Sequence, residues 1–170
     1  MLPKSYLAFK WAVYGLVTLL LFAVQSLALN HIRVLHLTPF LYPMLPAVAA
    51  MYEGSRRGPV FALALGVVCD LLLPAPFKGF YTVVFPTIAL FSAMVAENFF
   101  APGVLCGIFV STGGLLLSGA FRILAQLLSG GGHLALMAQT SLGETLLTLP
   151  ALLVVLPAYR MVHRRCAVDY

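Results

Sequence analysis

The sequence predicts an all-α integral membrane protein, about six transmembrane helices in one bundle. Composition is the first reason: hydrophobic residues make up 62% of the 170 positions and charged residues 9%, with a mean hydropathy of +1.02. So few charges cannot cover the surface of a soluble domain of this length, so lipid must be the solvent for most of the chain. The second reason is that apolar runs long enough to cross a bilayer, about 20 residues, recur along the whole sequence. The third is that the charges fall in small groups between those runs. No stretch is polar and long enough to form an aqueous domain, so residues 1–170 read as a single polytopic membrane domain.

The first span covers about residues 9–29, with Lys10 and Trp11 as interface anchors at its start. "SLA" at 26–28 resembles a signal-peptidase site, but the run is longer than a signal core and further spans follow, which favours an uncleaved helix. The second span, about 37–52, is short and carries Pro39, Pro43 and Pro46. Each proline removes a backbone donor, so a kinked or partly unwound helix is expected. The third, about 59–77, opens on Pro59, a residue suited to a first turn. The fourth covers about 80–96. The fifth, about 102–128, is long enough to tilt or to project beyond the bilayer. The sixth covers about 139–158, after a "SGGGH" turn at 129–133.

Charge sets the orientation. With the N-terminus inside, the cytoplasmic side receives Lys4, Lys10, Arg56, Arg57, Arg160, Arg164 and Arg165, and the outer side Arg33 and Lys78. That asymmetry predicts both termini in the cytoplasm of a cell membrane. The net charge of +5 forms no continuous basic face, so nucleic acid is not expected as a partner. Cys69, Cys106 and Cys166 show no CxxC spacing, and neither a disulfide nor a metal site is expected.

Helical spacing singles out two stripes. Gly58, Ala62, Gly66 and Asp70 fall four apart in the third span, and Gly114, Ser118 and Arg122 do so in the fifth, with Gly103 and Gly107 as a further small pair. Small residues at that spacing let helix backbones approach closely, so these are helix-packing or partner-docking faces. Each stripe ends on a charge. Asp70, Arg122 and Glu144, the last near the start of the sixth span, all fall roughly 8–11 Å inside the same outer face, at 1.5 Å rise per residue. A lone intramembrane charge costs about 3 kcal/mol or more, so the three are expected to form one polar cluster, with Arg122–Glu144 as its closest pair and Asp70 either joining it or lying protonated in its helix interface.

The remaining chemistry-bearing residues form no motif. His31, His36 and His133 have no HExxH spacing, Ser129 lies in no G-x-S-x-G elbow, and the chain has no Walker A loop. Glu53, Glu97 and Asp169 are expected in solvent at the cytoplasmic boundary. No catalytic residue, metal or cofactor is expected, and an intramembrane enzyme is disfavoured.

"YEGSRRGPVFALALGVVCDLLL" at 52–73, preceded by a short proline-bearing span and followed by "FKGF" at 77–80, resembles the rod shape-determining protein MreD family. The family pattern is a basic, glycine-containing turn, then glycines four apart leading to an acid, matched here by Gly58, Gly66 and Asp70. The resemblance is best over 37–98. Phe40 follows Pro39 where family members often carry an Asp. It implies a non-enzymatic scaffold of the bacterial cell-elongation machinery, supporting rod shape and lateral peptidoglycan synthesis. The implied partners are the MreC transmembrane helix and, through it, MreB, RodA and the elongation transpeptidase. The implied fold is similar to that of substrate-binding subunits of energy-coupling-factor vitamin transporters. Such a subunit is the alternative function, and Ala8 and Ala12 would then mimic its A-x-x-x-A coupling face.

Overall fold

A computed structural model describes residues 4–27, 40–128, 130 and 134–166. All regular structure among them is helical: α1 (Lys4–Leu27), α2 (Met44–Leu72), α3 (Phe80–Asn98), α4 (Val104–Leu128), α5 (Leu134–Thr148), one 3-10 turn (Leu149–Ala151) and α6 (Leu152–Cys166). Four segments are long and apolar enough to cross a membrane: Lys10–Leu27, Phe80–Asn98, Val104–Leu128 and Ala138–Arg164. The last of these runs through α5, the 3-10 turn and α6 without a reversal. The chain is thus a multi-pass, all-helical membrane protein by length and composition.

Helix α2 covers the stretch where the sequence suggests the second and third spans, and it is two arms joined at one residue. Gly54 takes φ 75°, ψ −178° inside it. That backbone region is essentially open to glycine alone, and here it turns the chain back on itself. A Cβ built on Gly58 would lie 2.7 Å from the Cα of Ala50. In a straight helix those residues would stand roughly 12 Å apart along the axis. The reversal also corrects the expected place of the distortion. Pro43 occupies the N-cap of α2 and Pro46 its first turn, where a missing N–H has no intrahelical acceptor to lose. These prolines start the first arm and do not kink it; the break falls at the glycine. Pro39 lies outside the described residues. The second arm starts at Ser55, so Pro59 sits one turn inside it and does not open it.

The first arm, 44–53, is the centre of the molecule. Every residue from Leu41 to Met51 is buried, the signature of a helix wrapped on all sides by protein. Close contacts around it identify the wrapping elements. Gly58 of the second arm lies against Ala50, and Gly114 of α4 against Ala47 and the Pro43 carbonyl. Gln25 of α1 bonds the Leu41 N–H, and His163 of α6 stacks on Tyr52 at 5.2 Å. Helix α3 lies antiparallel along the second arm, so close that a Cβ on Gly66 would meet the Tyr81 carbonyl oxygen at 2.6 Å. The outer surfaces are apolar: Leu16, Leu19 and Leu20 on α1, Val60 and Leu71 on α2 and Leu153 on α6 are exposed, as expected of helices whose solvent is lipid.

Candidate functional site

Asp70 and Glu97 do one job twice. The Asp70 carboxylate accepts from the N–H of Tyr81 (3.0 Å) and Thr82 (2.8 Å), and from the Thr82 hydroxyl (2.5 Å). It therefore caps the first turn of α3 from the far end of the second arm. Glu97, at the end of α3, accepts from the N–H of Ser55 at 2.8 Å and caps the start of the second arm in return. A carboxylate in the last turn of a helix opposes its own macrodipole, yet complements the N-terminus of an antiparallel neighbour. Two helices of matched length thus close each other's free ends. Gly58, Ala62 and Gly66 are buried, Gly66 against the start of α3 and Gly58 against Ala50 of the first arm. Glu97, expected in solvent, is exposed and carries this cap as well.

The expected cluster of three charges forms only in part. Arg122 pairs with Glu144 at 2.9 Å, joining α4 to α5. Asp70 makes no ion pair among the described residues; the α3 N–H groups answer its charge instead, because they are nearer and prealigned. The Arg122 guanidinium also lies 5.5 Å from the Phe40 ring centroid. Around that pair the start of the buried arm is bonded from two sides. The Phe40 N–H donates to the Thr148 hydroxyl at 2.9 Å and the Leu41 N–H to Gln25 Oε1 at 3.1 Å. The Thr148 hydroxyl donates in turn to the Glu144 carbonyl. Gln25 and Thr148 are both fully buried, and neither stands out in the sequence except as a polar residue in an apolar run. The stripe leading to Arg122 is internal as well: Gly114 and Ser118 are buried, and a Cβ at Gly114 would reach Ile88 at 2.9 Å. Close by, Gly119 lets α5 approach until its Cβ position meets Ser141. Gly107 faces Leu156 of α6, while Gly103 lies in the turn before α4.

At the opposite end lies a third polar group that the sequence reading does not find. The Lys10 ammonium and Glu53 carboxylate meet at 2.8 Å with side chains 11% and 2% exposed, and His163 Nδ1 stands 3.6 Å from the second Glu53 oxygen. Glu53, expected in solvent, is enclosed because the Gly54 reversal folds it between α1 and α6. Lys10 is correspondingly no interface anchor. Above it, the Thr18 and Tyr159 hydroxyls bond at 2.7 Å between α1 and α6. The signal in the sequence was the acid next to a glycine in "YEGS"; its partners are 43 and 110 positions away.

Of the basic residues used to orient the chain, Arg56 and Arg57 lie in the first turn of the second arm, and Arg160 and Arg164 are exposed on α6. The side chain of Arg165 lies outside the described residues, as do those of Lys4, Ala8 and Cys166. His31, Arg33, His36, Ser129, His133 and Asp169 also fall outside them. Cys69 and Cys106 are buried and unpaired by disulfide. No group of three metal-ligating side chains occurs among the described residues.

Among the described residues, clefts open between helices in two places. One, of about 260 Å³, lies between α1 and the second arm, with Gly15, Thr18 and Ala64 among its lining. The other, of about 570 Å³, lies between α4 and the α5–α6 span. Comparisons with protein-family models, curated proteins and solved structures returned no match.

Proposed function

We propose that this chain is a non-enzymatic membrane scaffold of the MreD type, binding the MreC transmembrane helix and linking it to MreB, RodA and the elongation transpeptidase in lateral peptidoglycan synthesis. One observation supports the reading most. The residues that carry the resemblance, Gly58, Gly66 and Asp70, belong to one helix pair closed at both ends, beside which a cleft remains open. The arms of α2 are read as two further crossings beside the four long apolar spans, making six. Lys10, Glu53 and His163 bring the start of α1 and the end of α6 to one end of the bundle. The basic surplus there assigns both termini to the cytoplasm.

The docking surface proposed for the partner helix is not the Gly58–Gly66 face, which α3 and the first arm already fill. It is the cleft between α1 and the second arm. Gly15 has open space where a Cβ would be, Ala64 is exposed, and small residues of this kind admit a helix backbone. Gly66→Leu would break the helix pair and so cannot report on docking; Gly15→Leu and Ala64→Leu can. Both variants should keep the helicity and monodispersity of the parent in detergent while losing most MreC on co-purification. Unchanged MreC retention by both would overturn the docking surface. A transporter subunit would instead hold a vitamin at micromolar affinity or tighter. The lining of both clefts is predominantly apolar, which suits a hydrophobic helix or chain better than a polar vitamin.

A further inference from the structure

We infer that the larger cleft, between α4 and the α5–α6 span, is a binding site for one anionic phospholipid, with its headgroup on Arg160 and Arg164. The site lies on the other side of the molecule from the α1 cleft and does not depend on the scaffold reading.

The outward face of the last span is graded. Leu146, Pro150, Leu153, Pro157, Arg160 and Arg164 follow at alternating steps of four and three, which places them in one row. The row is apolar down to Pro157 and basic afterwards. Val104 and Ile108 of α4 form the facing wall, and Arg160 is the one charged residue in the lining.

Charge and length together choose the occupant. Neither Arg160 nor Arg164 has a carboxylate within salt-bridge distance among the described residues, unlike Lys10 and Arg122. Both are exposed. Helix α4 begins at Val104, in the same wall, with no acid in its first turn to offset its positive end. The foot of the cleft therefore carries positive charge that no acid among the described residues pairs with, on an apolar slot. From Leu146 to Arg160 the slot is roughly 21 Å long at 1.5 Å per residue. One leaflet, headgroups included, of a bilayer about 40–45 Å thick is roughly 21 Å deep. A partner's helix that spans the apolar core of about 30 Å would leave about a third of its length unmatched. An acyl chain whose phosphate lies at the headgroup level fits both the length and the charge, as basic pockets between spans do elsewhere.

The test uses the full chain in phosphatidylcholine nanodiscs doped with spin-labelled phosphatidylglycerol or spin-labelled phosphatidylcholine. The motionally restricted component should be larger for phosphatidylglycerol. Arg160→Gln should lower its relative association by about fivefold, the Boltzmann weight of one basic residue against an anionic headgroup. Arg164→Gln should act in the same direction. Leu153→Trp, which fills the slot and keeps the charge, should reduce restriction of both lipids. Arg56→Gln removes an equal charge from the same end and should change nothing. Wild-type behaviour of Arg160→Gln overturns the proposal, and so does an equal loss in Arg56→Gln, which would mean diffuse surface attraction. A photocrosslinker at position 153 that captures a protein helix in native membranes, with no lipid adduct, overturns it as well.

Discussion

Asp70 shows how one side chain can be placed by helical spacing and still have its partner mistaken. Its position in a small-residue stripe puts it at a helix interface. What it meets there is a row of backbone donors, because glycine at position 66 lets the α3 backbone come within van der Waals reach. Charge-assisted hydrogen bonds of this kind contribute about 1.5–3 kcal/mol each, and the unpaired donor is the costlier part. Asp70→Ala is therefore expected to cost roughly 3 kcal/mol, and Asp70→Asn, which retains one acceptor oxygen, about half of that. Unfolding in detergent, followed by circular dichroism, would show the order. Equal loss in both variants would mean that the negative charge, not the hydrogen bonding, does the holding. The Gly54 backbone makes the complementary point. A glycine in an apolar helix signals close approach or reversal, and only its neighbours decide which.

At the scale of elements, the buried first arm of α2 is bonded into its surroundings at each end: Gln25 and Thr148 at the start, Lys10 and His163 through Glu53 at the end. Lys10 and Glu53 are both buried, so removing one partner strands a charge inside the bundle. Glu53→Gln alone is expected to cost about 3–5 kcal/mol, while Lys10→Met with Glu53→Leu should recover most of it, since an apolar pair of similar volume is often as stable as a buried ion pair. A double-mutant cycle on the unfolding midpoint checks this. Additive losses would show that the two side chains are not coupled. Arg122–Glu144 should behave alike. Its side chains are 41% and 21% exposed on spans whose solvent is lipid, so Glu144→Gln leaves a charge facing an apolar medium and should cost about 3 kcal/mol or more in the same unfolding assay.

Taken whole, the molecule is a central helix wrapped by α1, the second arm, α3, α4 and the last span. The four long apolar spans and the two arms of α2 bring the start of α1 and the end of α6 to the end marked by Gly54. The topology proposed on that basis is checked by reporter fusions. Fusions after residues 56 and 166 should both report a cytoplasmic location, and one in the turn around Lys78 the opposite face. A fusion after 56 that reports the outer face would remove the two α2 crossings and reduce the count to four.

Composition and hydropathy by themselves determined that the protein is a helical membrane bundle, where most of its helices lie and which residues are small enough for close packing. Those properties are local, set by a window of one or two turns. Arg122 and Glu144 were also legible as a pair, because a short turn and equal depth leave little choice. What only the tertiary structure decided is which polar group answers which. Asp70 meets backbone donors, Glu97 caps a helix start 42 residues earlier, and Glu53 finds Lys10 and His163 across three elements. Helical periodicity gives the face a side chain occupies but not the neighbour on that face. A single glycine with positive φ turned one segment into two, and so chose all of those neighbours.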